Sequence, residues 1–175
     1  MRRTGLAPGS EEGFVLIELL AMAAVLIGLA AAIYMAIHQN VLNKKCANNL
    51  RNIYTALENF EVDRGTLPRA AFYPDDPKQD NDSLLVALQP YRVHPDIYIC
   101  PTAPAPQQEL GLTYVWNVQL NGRKLHGSGS PTWMMVELNA LSDAVPAPHF
   151  GAYNILNTDG SVRRSKQPPP DLRGN

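Results

Sequence analysis

With 175 residues and a net charge of −1, the chain has room for one modest domain and an anchor. Its charge balance gives no reason to expect a nucleic acid or an acidic ligand as partner. Its two cysteines are too few for a disulfide scaffold.

That average conceals a division. Residues 14–37 (FVLIELLAMAAVLIGLAAAIYMAI) carry a single charge, Glu18, whereas everything after His38 is ordinary soluble sequence with turns and many prolines. As a helix the apolar stretch extends roughly 36 Å, enough for a hydrocarbon core of about 30 Å. It is therefore expected to be a transmembrane helix. Arg2 and Arg3 precede it and Lys44 and Lys45 follow, so charge orients it only weakly. An ordinary signal peptide has a shorter apolar core, of about 7 to 15 residues; here the run continues past the small residues Ala30, Ala31 and Ala32.

The helical pattern does not stop there. Leu42, Cys46, Leu50, Ile53, Leu57 and Phe60 recur at spacings of three and four, one stripe of an α-helix. Asn43, Lys44, Asn48, Arg51, Asn52, Asn59 and Asp63 fall mostly off the stripe. No proline interrupts the segment before Gly65, a C-terminal cap, and Pro68, which prevents resumption. One helix of about 50 residues is predicted, apolar on all faces in its first half and on one face in 38–65, the amphipathic continuation.

Residues 66–82 read as a polar loop rich in proline and aspartate, and 83–88 as a short helix capped by Ser83 or Asp82. The run PTAPAP after Cys100 argues against regular structure. Residues 113–120 and 132–138 read as strands, and 153–156 and 161–164 as a hairpin around Asn157-Thr158-Asp159-Gly160. The tail, 167–175, is expected to be disordered. The fold class is α+β: a long N-terminal helix packed on a small antiparallel sheet of three or four strands.

Two segments carry a family likeness. GFVLIELLAMAAVLIGL, beginning at Gly13, resembles the processing and methylation segment shared by type IV pilins and type II secretion pseudopilins: glycine, phenylalanine, a few apolar residues, glutamate, then a long apolar run. His149, nine further residues, then Asp159-Gly160 is similar to the H-X9-DG pattern at the C-terminus of a group of pilin-like proteins with the same N-terminal segment. Lys45-Cys46-Ala47-Asn48-Asn49-Leu50 and Cys100-Pro101 also look like that group.

The resemblance implies a leader, 1–13, removed by a prepilin peptidase that cuts between Gly13 and Phe14 and methylates the new amine. It implies a bacterial inner-membrane protein with one pass and a periplasmic pilin-like domain over 66–166. Other pilin-like subunits and inner-membrane lipid are the implied partners; no nucleic acid is. The role is structural, a subunit of a pseudopilus, pilus or related apparatus. The competing reading is a monomeric, membrane-tethered periplasmic domain that binds a ligand or metal.

Glu18 is the residue most in need of explanation, because a carboxylate in a membrane helix costs at least about 2.5 kcal/mol. After cleavage the Phe14 amine lies one helical turn away and can answer its charge, within a subunit or between neighbours. Ala21, Ala23, Ala24, Gly28, Ala30, Ala31 and Ala32 are small enough to let helix backbones approach.

In a periplasmic domain Cys46 and Cys100 form either a disulfide, worth about 4 kcal/mol by loop entropy, or two buried free thiols. They are not read as a metal pair, because no CxxC is present and ligands do not cluster in sequence. His149 is expected to fix the C-terminal hairpin, and Asp159-Gly160 to form its turn. Some major pseudopilins bind calcium through a C-terminal loop, and resemblance extends that to Asp159. The run Asp75, Asp76, Asp80 and Asp82 is richer in oxygen, with a solvated loop as the simpler account. No other cofactor is expected. His38, His94 and His126 share no ligand spacing, and Gly127-Ser128-Gly129-Ser130 lacks the lysine of a phosphate-binding loop. Tyr114, Trp116 and Trp133 read as core. With no nucleophile beside a base, the chain is not read as an enzyme.

Overall fold

The computed structural model describes residues 10–91, 93–125 and 130–172, with side chains from residue 16 onward. Arg2 and Arg3 of the expected leader, and His126 to Gly129, lie outside the described residues. The chain divides into two units, 1–40 and 41–175.

Helix α1, Ser10–Arg64, has 55 residues and runs through both units. Its backbone is helical before Gly13, earlier than the apolar pattern predicts. Within the first unit every described residue of 16–38 is exposed, Glu18 included. This segment is long and apolar enough to cross a membrane. At the other end Gly65 takes φ +80° and its N–H bonds to Glu61 O at 2.7 Å, the left-handed cap that only glycine adopts cheaply.

In the second unit the predicted stripe is buried at its centre, with Leu42 and Phe60 half-buried at its ends. Cys46, Leu50, Ile53 and Leu57 have no exposed surface, with Ala56 beside them. Full burial of each Leu or Ile contributes about 1.5–3 kcal/mol. Asn49 is buried too, its amide donating to Ile99 O at 3.0 Å. Lys44, Asn48, Arg51, Asn52, Asn59 and Asp63 are exposed, as the spacing requires.

Short elements follow. Helix α2 is Leu84–Leu88; Ser83 holds the N-cap position, but its hydroxyl donates to Pro77 O and leaves the helix without a side-chain cap. A 3₁₀ turn covers Pro95–Tyr98. Helix α3, Ala105–Glu109, forms where the PTAPAP run was expected to exclude regular structure. Its prolines fall at the cap and in the first turn, positions that have no intrahelical N–H bond to lose.

Four strands, β1 Tyr114–Trp116, β2 Trp133–Glu137, β3 Tyr153–Asn157 and β4 Val162–Ser165, form an antiparallel meander in chain order. The first predicted strand is cut short. Asn117 turns the chain into a 3₁₀ segment, Val118–Leu120, by accepting from Gln119 N and donating to Trp133 O. An asparagine offering the backbone these bonds competes with the ladder.

Alternation divides the sheet between two cores. Tyr114, Trp116, Met134, Met135 and Leu156 pack with the buried stripe of α1. Val115, Trp133, Val136 and Ile155 pack on the opposite face with Leu172. Met134 and Met135 share a face because the β2–β3 register slips between Trp133 and Met135. Burial of Pro169 and Leu172 means that the tail through Leu172 is packed, where low hydrophobicity predicts disorder. The described architecture is α+β, one long helix and a four-stranded antiparallel sheet.

Candidate functional site

Two groups of predicted residues lie in different units. In the first, Gly13 and Phe14 fall within the backbone of α1, with their side chains outside the described set, and Glu18 follows one turn later. Around it Leu16, Ile17, Leu19 and Leu20 are all more than half exposed. A glutamate in such a surface is desolvated in lipid unless a cation answers it.

The second group is buried. Cys46 of α1 and Cys100, after the Pro95–Tyr98 turn, form a disulfide with Cα atoms 5.0 Å apart. Of the two alternatives open from sequence, the structure selects the bond. His149 meets it: Nε2 lies 3.6 Å from Cys100 Sγ and 3.1 Å from Glu137 Oε1. Thr102 Oγ1 lies 3.0 Å from Cys100 Sγ. The other Glu137 oxygen accepts from Asn154 N at 2.7 Å, and Asn154 Nδ2 donates to Asn43 Oδ1 of α1 at 3.0 Å. Arg164 of β4 donates to His149 O, its guanidinium 5.6 Å from the Phe150 ring.

Local backbone explains how His149 points inward. Phe150 and Gly151 both have positive φ, 53° and 70°, and His149 N bonds back to Ala152 O at 3.1 Å. This tight turn brings the buried imidazole to Glu137 of β2 and leaves Phe150 55 % exposed. A left-handed phenylalanine is uncommon and costs energy that the surrounding bonds must supply.

Burial sets the electrostatics. It pushes the Glu137 carboxyl above its usual range, while the His149 contact and the Asn154 N–H act in the opposite sense. The Nδ1 atom of His149 is buried without a hydrogen-bond partner among the described residues. Cys46 Sγ, Cys100 Sγ and His149 Nε2 lie within 4.8 Å of one another, the one such cluster of potential metal ligands among the described residues.

The remaining motif residues act locally. Asp159 Oδ1 accepts from Ser161 N at 3.0 Å and Ser161 Oγ at 2.6 Å, bonds that hold its carboxyl below the usual range. Gly160 takes φ +77°, and a Cβ there would meet Tyr54 Cε1 at 2.7 Å. Tyr54 OH in turn donates to Thr158 O at 3.3 Å. The His149 to Gly160 spacing therefore seats the β3–β4 hairpin on α1 at Asn43, Cys46 and Tyr54, three points along the helix.

Other candidates are placed plainly. Asp80 accepts from Asp76 N and Asp76 from Lys78 N, so the acidic run builds its own turn. His94 caps the Pro95–Tyr98 turn by accepting from Asp96 N. Tyr114, Trp116 and Trp133 are core.

Sequence reasoning missed Glu137, Asn154, Arg164 and Thr102. Glu137 left a signal: one carboxylate in the apolar run TWMMVEL, in register with Tyr114 and thus on the buried face. A comparison of the chain with protein-family models, curated proteins and solved structures found no match.

Proposed function

We propose that this chain is a pilin-like (pseudopilin) subunit of a bacterial secretion or pilus-type envelope apparatus. A prepilin peptidase cuts after Gly13, and the mature chain stands in the inner membrane by residues 14–37 with its sheet domain in the periplasm. Subunits then assemble through the first half of α1. The observation that carries this reading is an uninterrupted apolar helix, exposed on every face over 16–37, with one carboxylate a turn from the cleavage position. The freed amine of Phe14 neutralises Glu18, and where the amine belongs to a neighbour the pair fixes the axial register of adjacent helices. The buried disulfide supports an oxidising compartment for the second unit.

The test is the mature N-terminus, read by intact mass and N-terminal sequencing of protein recovered from cell membranes. N-methylated Phe14 is expected. Retention of Met1, or a start near Tyr34, overturns the reading. Glu18→Ala should insert normally yet lose helix-to-helix crosslinks between subunits; undiminished crosslinking would remove Glu18 from the assembly step.

A further inference from the structure

We infer that the dithiol form of the chain is a binding site for one thiophilic divalent cation, of which zinc is the type, held by Cys46, Cys100 and His149. This goes beyond the proposed assembly role and does not depend on it. Tetrahedral coordination, with bonds of about 2.0–2.3 Å, places neighbouring ligand atoms about 3.3–3.8 Å apart. The His149 Nε2 to Cys100 Sγ spacing is 3.6 Å, and the His149 Nε2 to Glu137 Oε1 spacing is 3.1 Å. The nitrogen–sulfur spacing already has the required dimension, whereas Glu137 meets the same nitrogen from outside the cluster. The third donor, Cys46 Sγ, lies in the same cluster, and the three residues are buried. Reduction frees the two sulfurs to separate to the coordination spacing.

The surroundings fit a cation better than a catalytic thiol. In a Cys–His–carboxylate triad the two imidazole nitrogens face different partners, whereas here Nε2 alone faces both Cys100 and Glu137. One nitrogen and two sulfurs within 4.8 Å of one another make a mixed S and N donor set of the kind zinc accepts, with a fourth position left open. Glu137, held by Asn154 N at 2.7 Å, stands beside His149 as an outer acidic neighbour. Metal binding puts the imidazole proton on Nδ1, which has no partner among the described residues. Affinity is accordingly lower than at a site with a complete outer shell.

The chemistry balances in both directions. Two thiols and M²⁺ give the dithiolate complex and two protons. A disulfide-bearing oxidant, RSSR, then takes two electrons from that complex, yielding the Cys46–Cys100 bond, M²⁺ and two thiolates RS⁻. The metal is released as the disulfide forms, so the same residues hold a metal before oxidation and a covalent staple after it.

The experiment uses the full chain in detergent micelles, reduced anaerobically by a phosphine, which with water becomes the phosphine oxide as the disulfide becomes two thiols. Cobalt(II) is the probe. One cobalt per chain is expected, with thiolate-to-cobalt charge-transfer absorption and the intense visible bands of a tetrahedral site. Zinc should displace it, and the oxidised chain should bind none. His149→Ala should weaken binding by about tenfold or more. Glu137→Gln, which keeps the shape and an acceptor for Asn154 N–H, should leave the visible bands of the tetrahedral site in place. Absence of the charge-transfer band, one cobalt shared by two chains, or unaltered binding in His149→Ala overturns the inference. Unaltered binding and spectrum in a folded Cys46→Ser overturns the inference even where His149→Ala does not fold. A reduced chain whose near-ultraviolet dichroism collapses and is not restored by cobalt overturns it as well.

Discussion

Leu20 and Leu26 are 62 % and 65 % exposed, whereas Leu50 and Leu57, on the same helix, have no exposed surface. Backbone geometry is shared by the two halves of α1, so the difference lies in what each half meets. The second half has its partner within the chain: Trp116, Met134 and Leu156 of the sheet complete the core around its stripe. The first half is apolar on all faces, the pattern of a helix whose partners are lipid or other helices. One half is buried by folding, and the other is long and apolar enough to cross a membrane.

The largest effect that would sharpen this contrast is removal of the staple. Replacing both Cys46 and Cys100 by serine should cost about 4 kcal/mol for a loop closed over 54 residues, read by denaturant titration of the near-ultraviolet signal of the tryptophans. A cost under about 1 kcal/mol would mean that apolar packing alone secures the helix to the sheet. Next come matched leucines. Leu57→Ala should destabilise the second unit by about 3 kcal/mol, while Leu26→Ala should leave its unfolding within about 0.5 kcal/mol. Equal losses would break the comparison.

Glycines give a smaller version of the same test. At Gly160 an added methyl meets Tyr54 and a positive φ, so Gly160→Ala should cost about 1–3 kcal/mol. At Gly28, in the exposed half, a Cβ meets nothing within 4 Å. Gly28→Ala should therefore raise helix stability by up to about 1 kcal/mol.

The smallest effect at neutral pH is a tyrosine. Burial pushes the Tyr98 phenol above its ordinary range of about 10, and the Tyr114 phenol well above it. The folded chain keeps these protons where the unfolded chain releases them. Their contribution is therefore fully present below about pH 10 and is lost as pH rises through the folded-state values. Tyr98 OH has no hydrogen-bond partner among the described residues. Tyr98→Phe should change stability by less than about 1 kcal/mol at pH 7 and reduce its decline above pH 10; an unchanged alkaline decline would place the titration elsewhere.

Legibility followed the range of the interaction. The stripe from Cys46 to Leu57, the Gly65 cap and the turn at Gly160 depend on neighbours three or four residues away, and spacing alone revealed them. At α3 the signal is local as well: Pro104 and Pro106 fall at the cap and in the first turn, where proline starts a helix and does not break one. Leu172 is the opposite case, since its partners Val115 and Val136 are remote in sequence.

Periodicity and hydropathy thus determined by themselves the long helix, its apolar first half, its one-sided second half and the antiparallel pattern of the sheet. These features repeat along the chain, and a repeat is visible without coordinates. Only the tertiary structure decided that Cys46 bonds Cys100, that His149 reaches this bond from a left-handed turn, and that Glu137 lies buried beside it. The Cys46–Cys100, Cys100–His149 and Glu137–His149 contacts span 54, 49 and 12 residues, and no helix or strand period encodes which side chains meet across them.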